Sequence, residues 1–174
     1  MLEHGDIIMA DRQGVVTFKG NGVTLTGREV KVGNKAPDFT ALDQNLQPVR
    51  LSDFKGQSVL ISVVPSLDTG ICEMQTRRFN EEAARTGARI LTISMDLPFA
   101  QKRFCGTHNI TAVTVLSDYK DREFGRKYGV LVKELGLLAR AIFVIGPDGR
   151  VKYREIVSEI ASHPDYEKAL AALG

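Results

Sequence analysis

Cysteine is scarce in this chain: only two of its 174 residues are cysteines, and tryptophan is absent. Two cysteines are too few for the disulfide framework of a small secreted domain, so they point to thiol chemistry or to simple burial. No apolar run approaches the ~20 residues of a membrane span. The longest run, from 139 to 146, is interrupted by Arg140. We therefore expect no membrane-spanning segment.

Neither sign of charge is in excess, since 23 Lys and Arg residues are balanced by 21 Asp and Glu residues. The basic residues are spread along the chain, whereas electrostatic binding to nucleic acid requires a clustered basic face. The first six residues lack the basic and apolar regions of a secretory signal. We therefore expect no nucleic-acid partner and a cytoplasmic location.

The length and composition fit one globular domain. Hydrophobic residues make up 43% of the chain and charged residues 25%, and a chain of this size leaves no residues for a second core. A second methionine, Met9, follows a polar leader, so the residues before it are interpreted as an upstream extension. We predict a polar extension over residues 1–12 and one folded domain over residues 13–174.

The pattern of apolar residues predicts an α/β fold. Residues 15–18 and 23–25 flank a turn that contains Asn21-Gly22, which predicts an N-terminal β-hairpin. Nearly continuous apolar and β-branched runs predict strands covered on both faces, at residues 58–64, 89–94 and 141–145. Helical segments follow or separate them, after Pro65 as far as Gly87 and over residues 98–104, 121–128 and 162–173. This alternation predicts a mixed central sheet flanked by helices.

Cys72 is the centre of the chemistry that the residues predict. It lies in the first turn of the helix after Pro65, where unpaired backbone N–H groups and the helix dipole lower the pKa of a thiol. The thiolate is the reactive form of cysteine. Thr69 can donate its hydroxyl hydrogen to that sulfur, and the nearby Asp68 and Glu73 are interpreted as helix caps. The alternative is an inert, buried Cys72, and spacing alone does not decide between the two.

The chain has no Cys-x-x-Cys pair, so a disulfide partner for Cys72 within the chain can come only from its second cysteine, Cys105. Asp96 precedes Pro98 as a possible cap, which predicts a short helix that ends near Gly106 and leaves Cys105 at its frayed end. A disulfide needs Cα atoms within ~7 Å, so this helix would have to loosen before the bond could close. The alternative for Cys105 is a buried or idle thiol.

The segment Pro65-Ser-Leu-Asp-Thr69-Gly-Ile-Cys72 resembles the P-x-x-x-T-x-x-C signature of the peroxiredoxins. Further segments at 78–80, 96–101 and 103–106 resemble the thiol peroxidase subfamily, the atypical two-cysteine kind. The resemblance covers roughly residues 16–173. It implies a thioredoxin-like fold with an N-terminal hairpin, and antioxidant peroxidase activity.

By position in this resemblance, Cys72 would be the peroxidatic cysteine and Cys105 the resolving cysteine of the same chain. Thr69 would bond the thiolate and the peroxide, and Pro65 would shield the pocket from water. The family's active-site arginine falls on Arg140, a charge inside an apolar strand that is otherwise hard to explain. The alternative for Arg140 is a structural ion pair.

The resemblance implies a cycle without metal or organic cofactor. The Cys72 thiolate attacks the O–O bond of hydrogen peroxide or an organic hydroperoxide and becomes a sulfenic acid. Cys105 then forms an intrachain disulfide with it, and thioredoxin restores both thiols. Members of the family are usually homodimers.

Two other functions would use the same cysteines. A thiol-based peroxide sensor would turn over slowly, and a redox-regulated binding module would keep its function after Cys72→Ser. Metal binding is disfavoured, because the Cys105-x-x-His108 spacing has no second pair of ligands. Phosphate-loop and nucleophile-elbow motifs are absent from the sequence.

Overall fold

The structure, a computed structural model, describes residues 10–174. Met9 and most of the predicted extension lie outside the described residues, so the boundary between residues 12 and 13 stays a prediction. The first strands are β1 (Arg12–Phe18) and β2 (Asn21–Thr26), which pair antiparallel as the predicted hairpin.

The hairpin turn differs from the prediction. Phe18 pairs with Asn21, so the two turn residues are Lys19 and Gly20, and Asn21-Gly22 belongs to β2. Both turn residues have positive φ, 51° and 79°, as a two-residue hairpin turn of this hand requires. The predicted Asn-Gly turn is therefore wrong. The observed register places Val16 opposite Val23, and both are buried.

Two sheets organise the rest of the chain. The strands after the hairpin are β3 (Thr40–Leu42), β4 (Pro48–Arg50), β5 (Val59–Val63), β6 (Arg89–Ser94), β7 (Thr114–Ser117), β8 (Leu131–Val132), β9 (Leu137–Leu138), β10 (Ala141–Ile145) and β11 (Val151–Ile156). The main sheet has the order β11-β10-β5-β6-β7-β3-β4, and the small sheet has the order β1-β2-β8-β9. Within the main sheet β5, β6 and β7 are parallel, whereas β10 is antiparallel to β5, so the predicted mixed sheet is confirmed.

The helices are α1 (Gly70–Thr86), α2 (Pro98–His108), α3 (Glu123–Tyr128) and α4 (Tyr166–Leu173), and a short 3-10 turn spans Leu51–Phe54. As predicted, α1 stops at Gly87, which has a left-handed φ of 72°. None of the helices within residues 10–174 combines the length and the apolar character that a bilayer crossing requires.

The helix α2 begins at Pro98, as predicted, but its predicted end and its predicted cap are wrong. The helix continues to His108 and stops at the left-handed Asn109, whose N–H donates to the carbonyl of Cys105. Cys105 is therefore inside the last turn and not at a frayed end. At the start, Leu97 is the cap residue and Asp96 does not cap the helix. The Asp96 carboxylate instead accepts a hydrogen bond from the backbone N–H of Leu67, 2.8 Å away.

Both faces of the main sheet are buried, which explains the continuous apolar runs. Ile61 and Phe143 face a core shared with the small sheet and α3, whereas Leu60 and Ile142 face the core under α1, α2 and α4. Neighbouring residues of one strand thus contribute to different cores. The buried end of β5 leads directly into the loop before α1.

Candidate active site

The loop from β5 to α1 places Cys72 in the third position of the helix. Pro65 is buried directly after the strand, and Thr69 is the cap residue in an extended conformation. Its hydroxyl makes no capping bond to the helix backbone, but donates to Cys72 Sγ over 2.7 Å. The predicted capping roles of Asp68 and Glu73 are therefore wrong, because Thr69 holds the cap position.

Arg140 reaches the same sulfur from the segment between β9 and β10. Its side chain is buried, with 1% of the residue exposed, and its Nη2 lies 3.2 Å from Cys72 Sγ. Nη1 donates to Gln75 Oε1 over 2.8 Å, and Nε donates to the carbonyl of Ile160 over 2.7 Å. Among the ion pairs formed by residues 10–174, none includes Arg140. The guanidinium thus donates to two neutral oxygen acceptors and to the sulfur of Cys72.

Gln75 is a site residue that the sequence reasoning missed. It is fully buried on α1, one turn after Cys72, and its Nε2 donates to Ser62 Oγ over 2.8 Å while its Oε1 accepts from Arg140. A buried polar side chain needs such partners on both of its polar atoms. A glutamine on the same helix face as the candidate cysteine was the available signal.

The surroundings of Cys72 stabilise negative charge on its sulfur. The thiol is fully buried, and the Thr69 hydroxyl, the Arg140 guanidinium and the first turn of α1 all present positive ends of dipoles or full positive charge to it. Hydrogen bonds to a charged group are the strong ones. The arrangement is suited to a nucleophilic thiolate.

A pocket of about 270 Å³ is lined by Thr69 and Arg140, the two residues that donate to Cys72 Sγ, whereas the buried Cys72 itself does not line it. Pro65 lines it as well, and apolar side chains form much of the rest, among them Phe18, Leu137 and Ile160. A small polar molecule can therefore reach the donors, while an organic group attached to it contacts apolar walls. A larger cavity, about 340 Å³, lies at the opposite end of the sheet between Lys35, Phe54 and Pro147, away from both cysteines.

Cys105 has a separate environment. It is 7% exposed, and its Sγ accepts a hydrogen bond from Gln44 Nε2 over 3.2 Å. Burial raises the pKa of the Cys105 thiol, and the Gln44 hydrogen bond offsets this in part. Both cysteines are free thiols, so the structure describes the reduced protein. The fold brings Thr69 and Arg140 to Cys72, whereas Cys105 has a separate hydrogen-bond partner, Gln44.

Comparison with known proteins finds close relatives. The family model described as Redoxin matches residues 31–170. The thiol peroxidase of Halalkalibacterium halodurans is 59% identical over 158 residues, which cover 90% of this chain and 95% of that protein. The thiol peroxidase of Bacillus subtilis is 56% identical over the same shares. A crystal structure of a peroxiredoxin-like protein from Aquifex aeolicus superposes with a TM-score of 0.86 at 45% identity, over 95% of this chain and 96% of that one.

Proposed function

This chain belongs to the redoxin family, and from that premise we propose that it is a thiol peroxidase in which Cys72 is the reacting group. The mixed sheet and N-terminal hairpin give it the thioredoxin-like fold of the peroxiredoxins, as predicted. One observation carries the proposal. Cys72 Sγ lies 2.7 Å from a hydroxyl donor and 3.2 Å from a buried guanidinium.

In the first step the Cys72 thiolate attacks the terminal oxygen of a hydroperoxide. The S–O bond forms as the O–O bond breaks, and the departing oxygen takes up a proton to leave as water or alcohol. Thr69 and Arg140 donate to the sulfur and to the oxygens of the bound hydroperoxide, where they stabilise the developing charge. Pro65 limits the access of water to the sulfur. Cys72 ends the step as a sulfenic acid.

In the second step Cys105 attacks the Cys72 sulfenic acid. The S–S bond forms, and hydroxide leaves and is protonated to water. Cys105 first has to leave Gln44 and its buried position in the last turn of α2. Because burial raises the pKa of the Cys105 thiol, exposure during this movement favours its thiolate. The product is an intrachain disulfide.

A thioredoxin-type dithiol closes the cycle by reducing this disulfide and becoming oxidised itself. Such a reductant requires a reducing compartment, so we place the protein in the cytoplasm, where it serves antioxidant defence.

The protein acts as a homodimer. Two neighbouring apolar side chains at the start of α2, Leu97 and Phe99, are 50% and 67% exposed, which supports a contact with a second copy.

The test is hydroperoxide consumption with thioredoxin, thioredoxin reductase and NADPH, for the wild type, Cys72→Ser and Cys105→Ser. Hydrogen peroxide and cumene hydroperoxide are compared. We expect Cys72→Ser to abolish turnover, and Cys105→Ser to form one sulfenic acid per chain without recycling through thioredoxin.

Three outcomes contradict the proposal. An inactive wild type, or a Cys72→Ser variant as active as the wild type, would assign the protein to the binding modules. A wild type that forms the sulfenic acid but turns over only slowly would instead identify a peroxide sensor. Sedimentation of the reduced protein tests the homodimer.

A further inference from the structure

The segment after β11 lies against the tip of the N-terminal hairpin. Two backbone hydrogen bonds join them: the N–H of Thr17 donates to the carbonyl of Ser158 over 2.7 Å, and the N–H of Ile160 donates to the carbonyl of Thr17 over 2.9 Å. Glu159 stands between these two contacts. Its side chain is therefore directed at the hairpin turn.

The Glu159 carboxylate accepts four hydrogen bonds, two on each oxygen. Oε2 accepts from Thr17 Oγ1 at 2.6 Å and from the N–H of Gly20 at 3.1 Å. Oε1 accepts from the N–H groups of Lys19 at 2.9 Å and Ala161 at 3.1 Å. The positive φ values of the turn residues aim both turn N–H groups at the carboxylate, which is the geometry of an anion-binding backbone.

These bonds keep the carboxylate charged. The Thr17 hydroxyl, followed by the backbone donors, lowers the pKa of Glu159 to about 2. The hairpin tip is thus held by an ionised group at neutral pH.

The four hydrogen bonds to the Glu159 carboxylate form a clamp on the hairpin tip. Residues on both sides of this clamp line the pocket that Thr69 and Arg140 also line. Phe18 and Lys19 contribute from the hairpin, and Ile160 and Ala161 from the segment that carries Glu159. Ile160 also accepts, through its carbonyl, the hydrogen bond from Arg140 Nε at 2.7 Å. Glu159 therefore joins the outer wall of the pocket to the chain segment that orients the arginine.

We propose that Glu159 is a positioning residue that fixes the pocket wall for the organic group of a hydroperoxide. The inference rests on the peroxidase function proposed above. Hydrogen peroxide has no organic group and depends on Thr69 and Arg140, and the bonds of Arg140 to Gln75 and Cys72 do not involve the segment that carries Glu159. An organic hydroperoxide additionally needs the wall. Loss of the clamp thus affects the two substrates unequally.

The test compares Glu159→Gln with the wild type in the oxidation of Cys72 by cumene hydroperoxide and by hydrogen peroxide. Glutamine keeps one acceptor oxygen and turns an NH₂ group toward N–H or O–H donors, so half of the clamp is lost. We expect KM for cumene hydroperoxide to rise about tenfold, as for a pocket contact removed, with kcat nearly unchanged. The kcat/KM for hydrogen peroxide should stay within about threefold of the wild type.

Two further variants keep the test decisive. Thr17→Val removes one of the four donors and should produce a smaller shift in the same direction. Glu155→Gln is the matched control: its carboxylate accepts from the N–H of Asp165 and from the Tyr153 hydroxyl, and it does not line the pocket. We expect Glu155→Gln to leave the ratio of the two kcat/KM values unchanged.

Equal losses for both hydroperoxides in Glu159→Gln and Thr17→Val would overturn the inference, because a general loss of structure does not distinguish the substrates. No change in either substrate would overturn it as well. A wild type that oxidises Cys72 with neither hydroperoxide would be a different result, since it rejects the peroxidase function itself.

Discussion

The side-chain amide of Gln44 donates a hydrogen bond to Cys105 Sγ over 3.2 Å, although the two residues are 61 positions apart. Gln44 belongs to the turn between β3 and β4, which is stabilised by Asp43 Oδ1 accepting from the N–H groups of Asn45 and Gln47. A rigid turn therefore presents the amide to the sulfur. The donor partly offsets the effect of burial on the pKa of Cys105.

Replacement of Gln44 by leucine should raise the pKa of Cys105 further, because burial then acts without the compensating donor. The measurement is the pH dependence of Cys105 alkylation in a Cys72→Ser background, where a single thiol reacts. We expect the midpoint to move to higher pH. Gln47→Leu is the control, since Gln47 lies on the same turn and donates to the carbonyl of Asn45 instead. An unchanged midpoint in Gln44→Leu would reject a role for this hydrogen bond.

Thr69→Val should slow the oxidation of Cys72 by hydrogen peroxide about 10- to 100-fold, since a hydrogen bond to a charged group contributes about 1.5–3 kcal/mol. Thr69→Ser retains the hydroxyl that donates to Cys72 Sγ and should remain close to the wild-type rate. Both rates are measured in a single turnover. If valine and serine give the same rate, the hydroxyl does not act on the sulfur.

Arg140→Lys should reduce the rate of Cys72 oxidation about 10²- to 10³-fold, as the loss of one positioned donor does in other enzymes. Lysine carries the charge but lacks the planar fork that reaches Cys72, Gln75 and Ile160 together. An acceptor left unpaired in the core should also lower the free energy of unfolding by about 1–3 kcal/mol.

The control for this variant is Arg78→Lys, which alters an exposed ion pair with Glu167. Such pairs contribute about 0–1 kcal/mol, so neither stability nor rate should change much. Peroxide oxidation kinetics and urea denaturation of both variants provide the comparison. An Arg140→Lys variant with wild-type kinetics would remove Arg140 from the reaction.

Asp118 makes the stability of the protein depend on pH. Burial raises the pKa of its carboxyl group to about 6, although the N–H groups of Phe124 and Gly125 donate to it. The folded protein therefore holds a proton that the unfolded chain releases near its ordinary pKa of 3.8. As the pH rises from about 4 to about 6, this group should lower the free energy of unfolding, by at most about 3 kcal/mol.

Denaturant unfolding of the wild type and Asp118→Asn across that pH range measures this contribution. Asparagine does not titrate, so the variant should lose less stability than the wild type between pH 4 and pH 6. Its overall stability should be lower, because its NH₂ group faces backbone N–H donors. Parallel pH profiles for the two proteins would show that Asp118 does not carry the effect.

Local sequence was sufficient for the elements that build the site. The run from 58 to 64 contains β5 (Val59–Val63), which is buried on both faces. Pro65 and Gly87 delimit the segment that contains α1, because one interrupts sheet pairing and the other adopts the left-handed stop. Counting residues after Pro65 is then enough to place Cys72 in the first turn of α1.

Elements whose stability depends on distant pairing were not predictable in this way. The two-residue strands β8 and β9 are too short for any periodicity and exist through their pairing with β2 and with each other. The helix α2 continues through Gly106 to His108, and the left-handed Asn109 is its cap residue. The hairpin turn was set by the burial of Val16 and Val23.

The sequence by itself thus determined the α/β order, the place of Cys72 at a helix start and the motif shared with a peroxidase family. Spacing and the family resemblance also indicated Thr69 and Arg140 as partners of Cys72, but only the tertiary structure decided the remaining polar contacts. Arg140 bonds both Gln75 and Cys72, Gln44 reaches Cys105, and Glu159 holds the hairpin tip. The physical reason is that a buried polar atom takes whichever partner the packed layers bring within about 3 Å, and sequence spacing carries no record of that meeting.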